Sequence, residues 1–543
     1  MKSIKQITIR FILNFTGMLV FWAGFFRPGF GADTIGQATL PFMNINAAFQ
    51  YGRYLTYAVD MLAVKLGFSM DGQYKTTYLA MLVFIAAAVT VIQQMFLPNI
   101  TASMKDTSPE GVCSGTERII FVAAMWTLSM LPFANVLFSE FYMFPECMIG
   151  YSLCYFTGAV AAYLISRSRN VKGWVFGILM LCVSCLFYQN GVIFAAILVL
   201  FYFYLEQWCS RPIARLDNSS IKGNDDSSEV STASARHNSS ASFRTYFIKS
   251  AAVIIAALGI GLVNMKVQSV VEMTSFGKGA SKAQHAGSLL DNLPMFVYYL
   301  RTFFATSLKL LPRLYLPLLM LVLADAVIAA VLAKKKKYLQ IFMTVFTQFV
   351  MIGMVSGIPL LMEEIHFYPR IVFPLYLILA GSAMLALVTA REDAEQLFRG
   401  WKIMAVFSIL FFLIQGFFVA QIAENHYISN QLDLTYTAMV QQKIRKYEAE
   451  TGIRVEKVAT ARDAVSTRYY DGIYYTFDQI NERVLGMSTF SLLRYTSDED
   501  HDFQLIDMDE DVFKKYFEGR DWVEFDVDEQ VVIEGDTLYW CAF

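Results

Sequence analysis

Asp33 is the acid best placed to do chemistry. It follows the first apolar run and stands among Gly29, Gly31 and Gly36, residues that let a backbone approach a ligand. A carboxylate there could take a proton from a hydroxyl as general base, or it could be a solvated loop acid. Arg53 follows in YGRYL, and a guanidinium matches a pair of phosphate oxygens. Pairing with Asp60, or contact with lipid headgroups, is the plainer use of the same charge. Glu140 and Glu146 bracket SEFYMFPE. Two acids so close could hold a divalent cation, supply a second carboxylate or cap helices, and Glu146 suits the cap of the helix that follows it.

Basic residues gather in two later segments. Residues 266–311 carry Lys266, Lys278, Lys282, His285, Arg301 and Lys309 against two acids, Glu272 and Asp291. A phosphorylated lipid would suit such an excess, as would anionic headgroups. Glu363, Glu364, His366 and Arg370 crowd LLMEEIHFYPR. Arg370 there could reach a phosphate at the membrane surface or pair with Glu363 or Glu364. Zinc spacing, a P-loop, a dinucleotide fingerprint and a Ser-His-Asp cue are all missing from the sequence. No nucleic-acid partner is expected, and a divalent cation is the one cofactor left open.

These residues need a scaffold, and composition says which. The chain is 56% hydrophobic and only 17% charged. A bilayer core of ~30 Å takes roughly 20 apolar residues per helix. Eleven segments qualify: 7–26, 78–97, 119–138, 147–166, 172–187, 191–206, 247–265, 312–333, 338–359, 371–390 and 403–421. The fold expected is an α-helical polytopic membrane protein of about eleven spans. Asp325, inside the eighth, should face the bundle and pair near Lys334. Cys182 and Cys185 form a CxxC inside an apolar helix, where core packing outweighs redox chemistry.

Charge divides the chain. Residues 1–422 hold 32 basic and 21 acidic residues, and residues 423–543 hold 12 basic and 25 acidic. The second part reads as a small α/β domain, with a helix over 434–450, a strand over 455–459, a helix over 512–517 and a hairpin over 531–540. Lys and Arg in alternate loops place the N-terminus in the cytoplasm and this domain outside. The 207–246 loop, rich in Ser, Asn and Asp over 214–243, reads as disordered and cytoplasmic. The first outer loop is 27–77 and the long one 266–311. Within the first, Asn46, Gln50, Arg53, Tyr57 and Asp60 would share one helix face. Ala48, Tyr51, Leu55, Ala58, Val59, Leu62 and Leu66 would share the other, with Gly67 as C-cap. Such a helix would lie in the membrane interface with its polar stripe toward water.

Ala32-Asp33-Thr34 after the first span, YGRYL with Arg53, FYQNG at Phe187–Gly191 and YPRIVFPL at Tyr368–Leu375 together resemble the bacterial serotype-converting O-antigen glucosyltransferases, membrane enzymes of GT-C type. The likeness covers roughly residues 10–425. It implies a plasma-membrane glycosyltransferase moving glucose from a polyprenyl-phosphate donor to a surface glycan. Asp33 would be the general base, with Glu140 as a second catalytic acid. Arg53 and Arg370, with Arg301 and Lys278, would stabilise the leaving phosphate, and Gln189, His366 and Glu363 would complete the substrate site. Family members often pair acids in the first outer loop, whereas Asp33 has no acidic neighbour. A lipid-linked glycan flippase or a glycan polymerase is the alternative, although a transporter should carry its charges near the midplane.

Overall fold

The computed structural model describes the chain apart from residues 1, 32–33, 36–47, 50, 69–72, 107–114, 169, 210–229, 276–288, 361–366, 392–399, 463–483, 498–500, 521, 523–524 and 543. It is a helical polytopic protein. In chain order the helices are α1 (Lys2–Phe21), α2 (Tyr54–Lys65), α3 (Tyr74–Asp106), α4 (Gly115–Met130), α5 (Met148–Arg167), α6 (Val171–Phe187), α7 (Asn190–Cys209), α8 (Val230–Ser275), α9 (Leu289–Thr306), α10 (Leu316–Lys334), α11 (Tyr338–Leu360), α12 (Pro374–Arg391) and α13 (Gly400–Thr451). Among the described residues eight are long and apolar enough to cross a membrane, namely α1, α3, α5, α8 and α10 to α13, while α6 and α7 form a shorter apolar pair. The span containing α12 is 94% buried and forms the centre of the bundle, whereas those of α1 and α8, at 17% and 22%, face outward.

The expected span over 119–138 is not one helix. α4 stops at Met130, ahead of Pro132, which has no amide to donate. A 3-10 helix, Val136–Met143, then carries Glu140. Fully buried Asn135 holds the break together. Its oxygen accepts from the amides of Leu137 and Phe138 at 3.0 and 3.2 Å, and its nitrogen donates to the carbonyls of Leu131 and Pro132 at 2.9 and 3.1 Å. Residues 139–146, the SEFYMFPE stretch, are buried throughout. The reason is aromatic: Phe138, Phe141 and Tyr142 pack against Trp22, Tyr155 and Phe373.

Polar side chains inside the bundle satisfy one another. Asn14 and Gln93 exchange amide bonds at 3.0 Å, extended by Thr90, Ser129 and Trp126, a link between helices that lipid cannot compete for. Asp325 pairs with Gln348 of α11 rather than near Lys334: the amide donates to its carboxylate at 2.7 Å and to Ser382 at 2.9 Å. A neutral donor inside the bundle reaches it, while Lys334 sits at the end of its own helix. Cys182 and Cys185 are both free thiols on α6.

α13 runs for 52 residues without a break, about 78 Å at 1.5 Å per residue. The expected domain boundary at 422/423 therefore falls inside a helix, and the helix expected over 434–450 is its last part. Beyond it, β1 (Lys457–Arg462), β2 (Gln504–Ile506), β3 (Val531–Glu534) and β4 (Thr537–Ala542) form one sheet in the order β2-β1-β4-β3, and α14 (Val484–Thr496) and α15 (Glu510–Tyr516) accompany it. β1 is parallel to both its neighbours, and β3 and β4 form the expected hairpin around Gly535, whose φ of 60° suits a two-residue turn. Ile35 of the first loop is buried in the core of this unit with Val440, Ile444, Leu485, Leu538 and Trp540.

Asn135→Ala removes four side-chain bonds at the break. The Phe138 amide keeps the Asn135 carbonyl and the Leu131 carbonyl keeps the Ala134 amide. The Leu137 amide and the Pro132 carbonyl lose theirs, so the fold should lose about 2 kcal/mol. A clear fall in melting temperature of the purified protein is expected, smaller for Asn135→Asp, which keeps the acceptor. An unchanged melting temperature for Asn135→Ala would show that the break at Pro132 does not depend on this side chain.

Candidate functional site

The site is built where three chain turns meet at the ends of α5, α6 and α7. Two adjacent residues at the α6–α7 junction bind the other two turns. Gln189 donates to the Tyr51 carbonyl, and Asn190 donates to the carbonyls of Arg370 and Ile371, both at 3.0 Å. The turns carrying Arg53 and Arg370 are thus fixed to one dipeptide. Tyr188, next to them, lies within electrostatic reach of Arg53, Arg370 and Glu140.

The two arginines are held differently. Arg370 opens the short helix Pro369–Val372 and is ion-paired with Glu140 through its side chain, while its backbone amide donates to the same carboxylate at 2.6 Å. Glu140 is fully buried. Removing one member of such a pair strands a buried charge, so the pair fixes geometry more than it adds stability. Both oxygens of Glu140, the residue expected as a second catalytic acid, are engaged by Arg370.

Among the described residues, no carboxylate is hydrogen-bonded to or ion-paired with Arg53. Its guanidinium lies 4.8 Å from the ring centre of Tyr188, 5.6 Å from that of Tyr51 and 5.9 Å from that of Tyr151, and one nitrogen is 3.4 Å from the Tyr151 hydroxyl. Its Nε is buried without a hydrogen-bond partner. Aromatic faces attract a cation, but they supply no anionic oxygen. The site therefore presents a donor array that a phosphoryl group would satisfy.

Gly52 sets up this arrangement. Its φ of 70° breaks the helix expected from residue 46, so α2 begins only at Tyr54. Gly67, also at 70°, follows Leu66 as the expected cap. The orientation of α2 is the reverse of the sequence expectation. Thr56 and Asp60 are buried at 4% and 7% exposure, whereas Leu62 and Leu66 are 57% and 75% exposed. The polar stripe faces protein, because Thr56 donates to the Phe187 carbonyl at 2.8 Å and the apolar face is left for lipid.

Asp60 thereby becomes a buried carboxyl. Burial pushes it from 3.8 up to about 7, with Arg53 pulling the other way. Cys147 is within electrostatic reach of Asp60, Arg53 and Glu146. Glu146 stands just before α5 and accepts a hydrogen bond from Thr34 at 2.7 Å. Gly29, expected to admit a ligand, instead makes room for His426 of α13, since a methyl there would lie 2.8 Å from the imidazole. Phe30 and Asn430 exchange bonds at 3.0 and 3.1 Å, and Arg27 pairs with Glu424. These contacts pin the segment leading to Asp33 on α13.

Asp33, Lys278, Glu363 and His366 lie outside the described residues. Arg301 is exposed on α9, and no contact joins it to the cluster among the described residues. Among those residues no three His, Cys, Asp or Glu side chains are placed to hold a metal ion. Sequence reasoning missed Asn190, Tyr151 and Tyr188; only the FYQNG string pointed at two of them. No protein-family model, curated protein or solved structure matches the chain.

The Asp60 carboxyl holds its proton more tightly in the folded chain than in the unfolded one. Stability present below about pH 4 is therefore lost as pH rises toward 7. Asp60→Asn should leave the melting temperature little changed near pH 4 and raise it relative to the parent chain at pH 7 to 8. Parallel melting profiles across that range would contradict the burial of this carboxyl.

Proposed function

We propose that the chain is a membrane glycosyltransferase that moves glucose, or a similar hexose, from a polyprenyl-phosphate donor to a surface glycan on the outer side of the membrane. The observation that carries this reading is Arg53, a tyrosine-caged guanidinium without a hydrogen-bonded carboxylate among the described residues, beside a second arginine whose position is fixed by Glu140. In the reaction the acceptor oxygen bonds to the anomeric carbon as the bond from that carbon to the phosphate oxygen breaks. The acceptor proton passes to Asp33, and the electron pair leaves with the lipid phosphate. Arg53 and Arg370 stabilise the charge that develops there. Such a donor brings its own activation, so the chemistry requires no nucleotide site.

The fold supports a way to bring the acceptor to this place. Thr34 bonds to Glu146 of the bundle and Ile35 packs into the sheet unit, both within two residues of Asp33. A cavity of about 500 Å³ lies between α13 and β3, lined by Lys443, Lys446, Tyr447 and Asp528. Its wall mixes these polar groups and one aromatic ring with the aliphatic side chains of Met439, Val531 and Ile533, a surface on which a glycan could hydrogen-bond and stack. In the same reading the architecture is of GT-C type, the N-terminus is cytoplasmic, and the unit beyond α13 is extracytoplasmic in a bacterial plasma membrane.

Purified protein should transfer labelled glucose from polyprenyl-phosphate glucose to a glycan acceptor. Asp33→Asn should reduce the rate about 10²–10⁴-fold, as expected for loss of a general base. Arg53→Ala should reduce it about 10²–10³-fold, the scale of one charge-stabilising donor. Full activity of Asp33→Asn would remove that base assignment. Absence of transfer with every lipid-linked sugar tried would favour a transporter of such lipids.

A further inference from the structure

Asn264 occupies an unusual position for an amide. It lies on α8 within the apolar span Phe247–Val271, is only 6% exposed, and its Nδ2 has no hydrogen-bond partner. A buried donor left unpaired is costly, and in a membrane span water does not repair it. Its location is specific. A methyl group on Gly52 would lie 2.9 Å from Asn264 Nδ2 and 3.3 Å from Gln189 Nε2. Gly52 directly precedes Arg53, whose Nε is also a buried donor without a hydrogen-bond partner. Two elements distant in sequence therefore bring unsatisfied donors to the same turn, and a side chain at residue 52 would crowd them.

The surroundings are apolar on the outward side. Leu258, Leu262 and Val263 of α8 are 60%, 65% and 64% exposed, and Leu62 and Leu66 of α2 share that exposure. Both α2 and α8 rest on α6. A ligand reaching the donors from this flank would bring an acceptor-rich head and a hydrocarbon tail.

We infer that Asn264 is a donor-lipid specificity residue: its amide binds a phosphoryl oxygen beside Arg53, while the isoprenoid chain lies along the lipid-facing flank between α2 and α8. The ligand class is a prenyl phosphate, and in that respect the inference rests on the function proposed above. A phosphoryl group accepts from the amide and the guanidinium together, and its charge answers the cation that the tyrosines leave unpaired. Gly52 is required because a Cβ would occupy the approach to the amide.

The test is binding of farnesyl phosphate to the full-length protein in neutral phosphatidylcholine nanodiscs, with farnesol, inorganic phosphate and phosphatidylglycerol as competing probes. Farnesyl phosphate should bind at least 10-fold more tightly than farnesol or inorganic phosphate, with no competition from phosphatidylglycerol. Asn264→Leu should weaken farnesyl phosphate at least 10-fold, leave farnesol unchanged, and keep or raise the melting temperature of the ligand-free protein. That last result separates a ligand-serving amide from a structural one, whose loss would lower it. Gly52→Ala should weaken binding in the same direction. Unchanged binding by Asn264→Leu, a fallen melting temperature with equal loss of both prenyl probes, or equal binding of inorganic phosphate or phosphatidylglycerol would overturn the inference. Asn264-dependent farnesyl phosphate binding in a protein without transferase activity would uphold it and remove the function. Transfer with a donor KM unaffected by Asn264→Leu would do the reverse.

Discussion

A guanidinium cannot lose its proton at any physiological pH, so a chain that partly buries one must offer it electrons from somewhere. Among the described residues, Arg53 receives three tyrosine rings and one hydroxyl, and no carboxylate hydrogen-bonds to it. Rings soften the cost of burial but leave the charge uncompensated. Much of the surrounding structure follows from keeping that charge in place. Gly52 turns the backbone before it, Gln189 holds the turn by the Tyr51 carbonyl, and Thr56 ties α2 to the end of α6.

Arg370 shows the contrasting solution. Glu140 compensates it fully, and Glu140 is delivered from the interior by a break in the chain at Pro132 that Asn135 stitches closed. One arginine is thus neutralised and rigid, and its neighbour is rigid without being neutralised. Such an asymmetry suits a site that must attract an anion without collapsing onto itself when the anion leaves. The long α13 adds the third constraint, because it anchors the segment before Asp33 through Glu424 and Asn430 and continues into the sheet unit.

The membrane character was legible from apolar run lengths alone, and so were the terminal hairpin and the cap at Gly67. An apolar run could not, however, distinguish a span from a buried turn. Residues 119–138 looked continuous, and only the missing amide of Pro132 hinted at the break. The two faces of α2 were correctly divided but wrongly oriented, since a helical wheel carries no information on which side meets lipid. Arg53 and Arg370 could be nominated by type and by position near span ends. Gln189 was nominated with the FYQNG string, but the clamp it forms with Asn190 and the place of the Asn264 amide could not be read, because each depends on a contact across more than a hundred residues of sequence. Glu140 was singled out for its charge, but its ion pair with Arg370 joins residues far apart in sequence and could not be read from it.

The central claim is that Arg53 receives the anionic head of a membrane lipid. The most direct measurement is a cryo-EM structure of the full chain with a non-hydrolysable polyprenyl-phosphate sugar analogue. The account predicts phosphate density in hydrogen-bond contact with the Arg53 guanidinium, close to Arg370, with the Glu140–Arg370 pair intact. Phosphate density elsewhere in the bundle, with Arg53 contacting only its tyrosines, would contradict it.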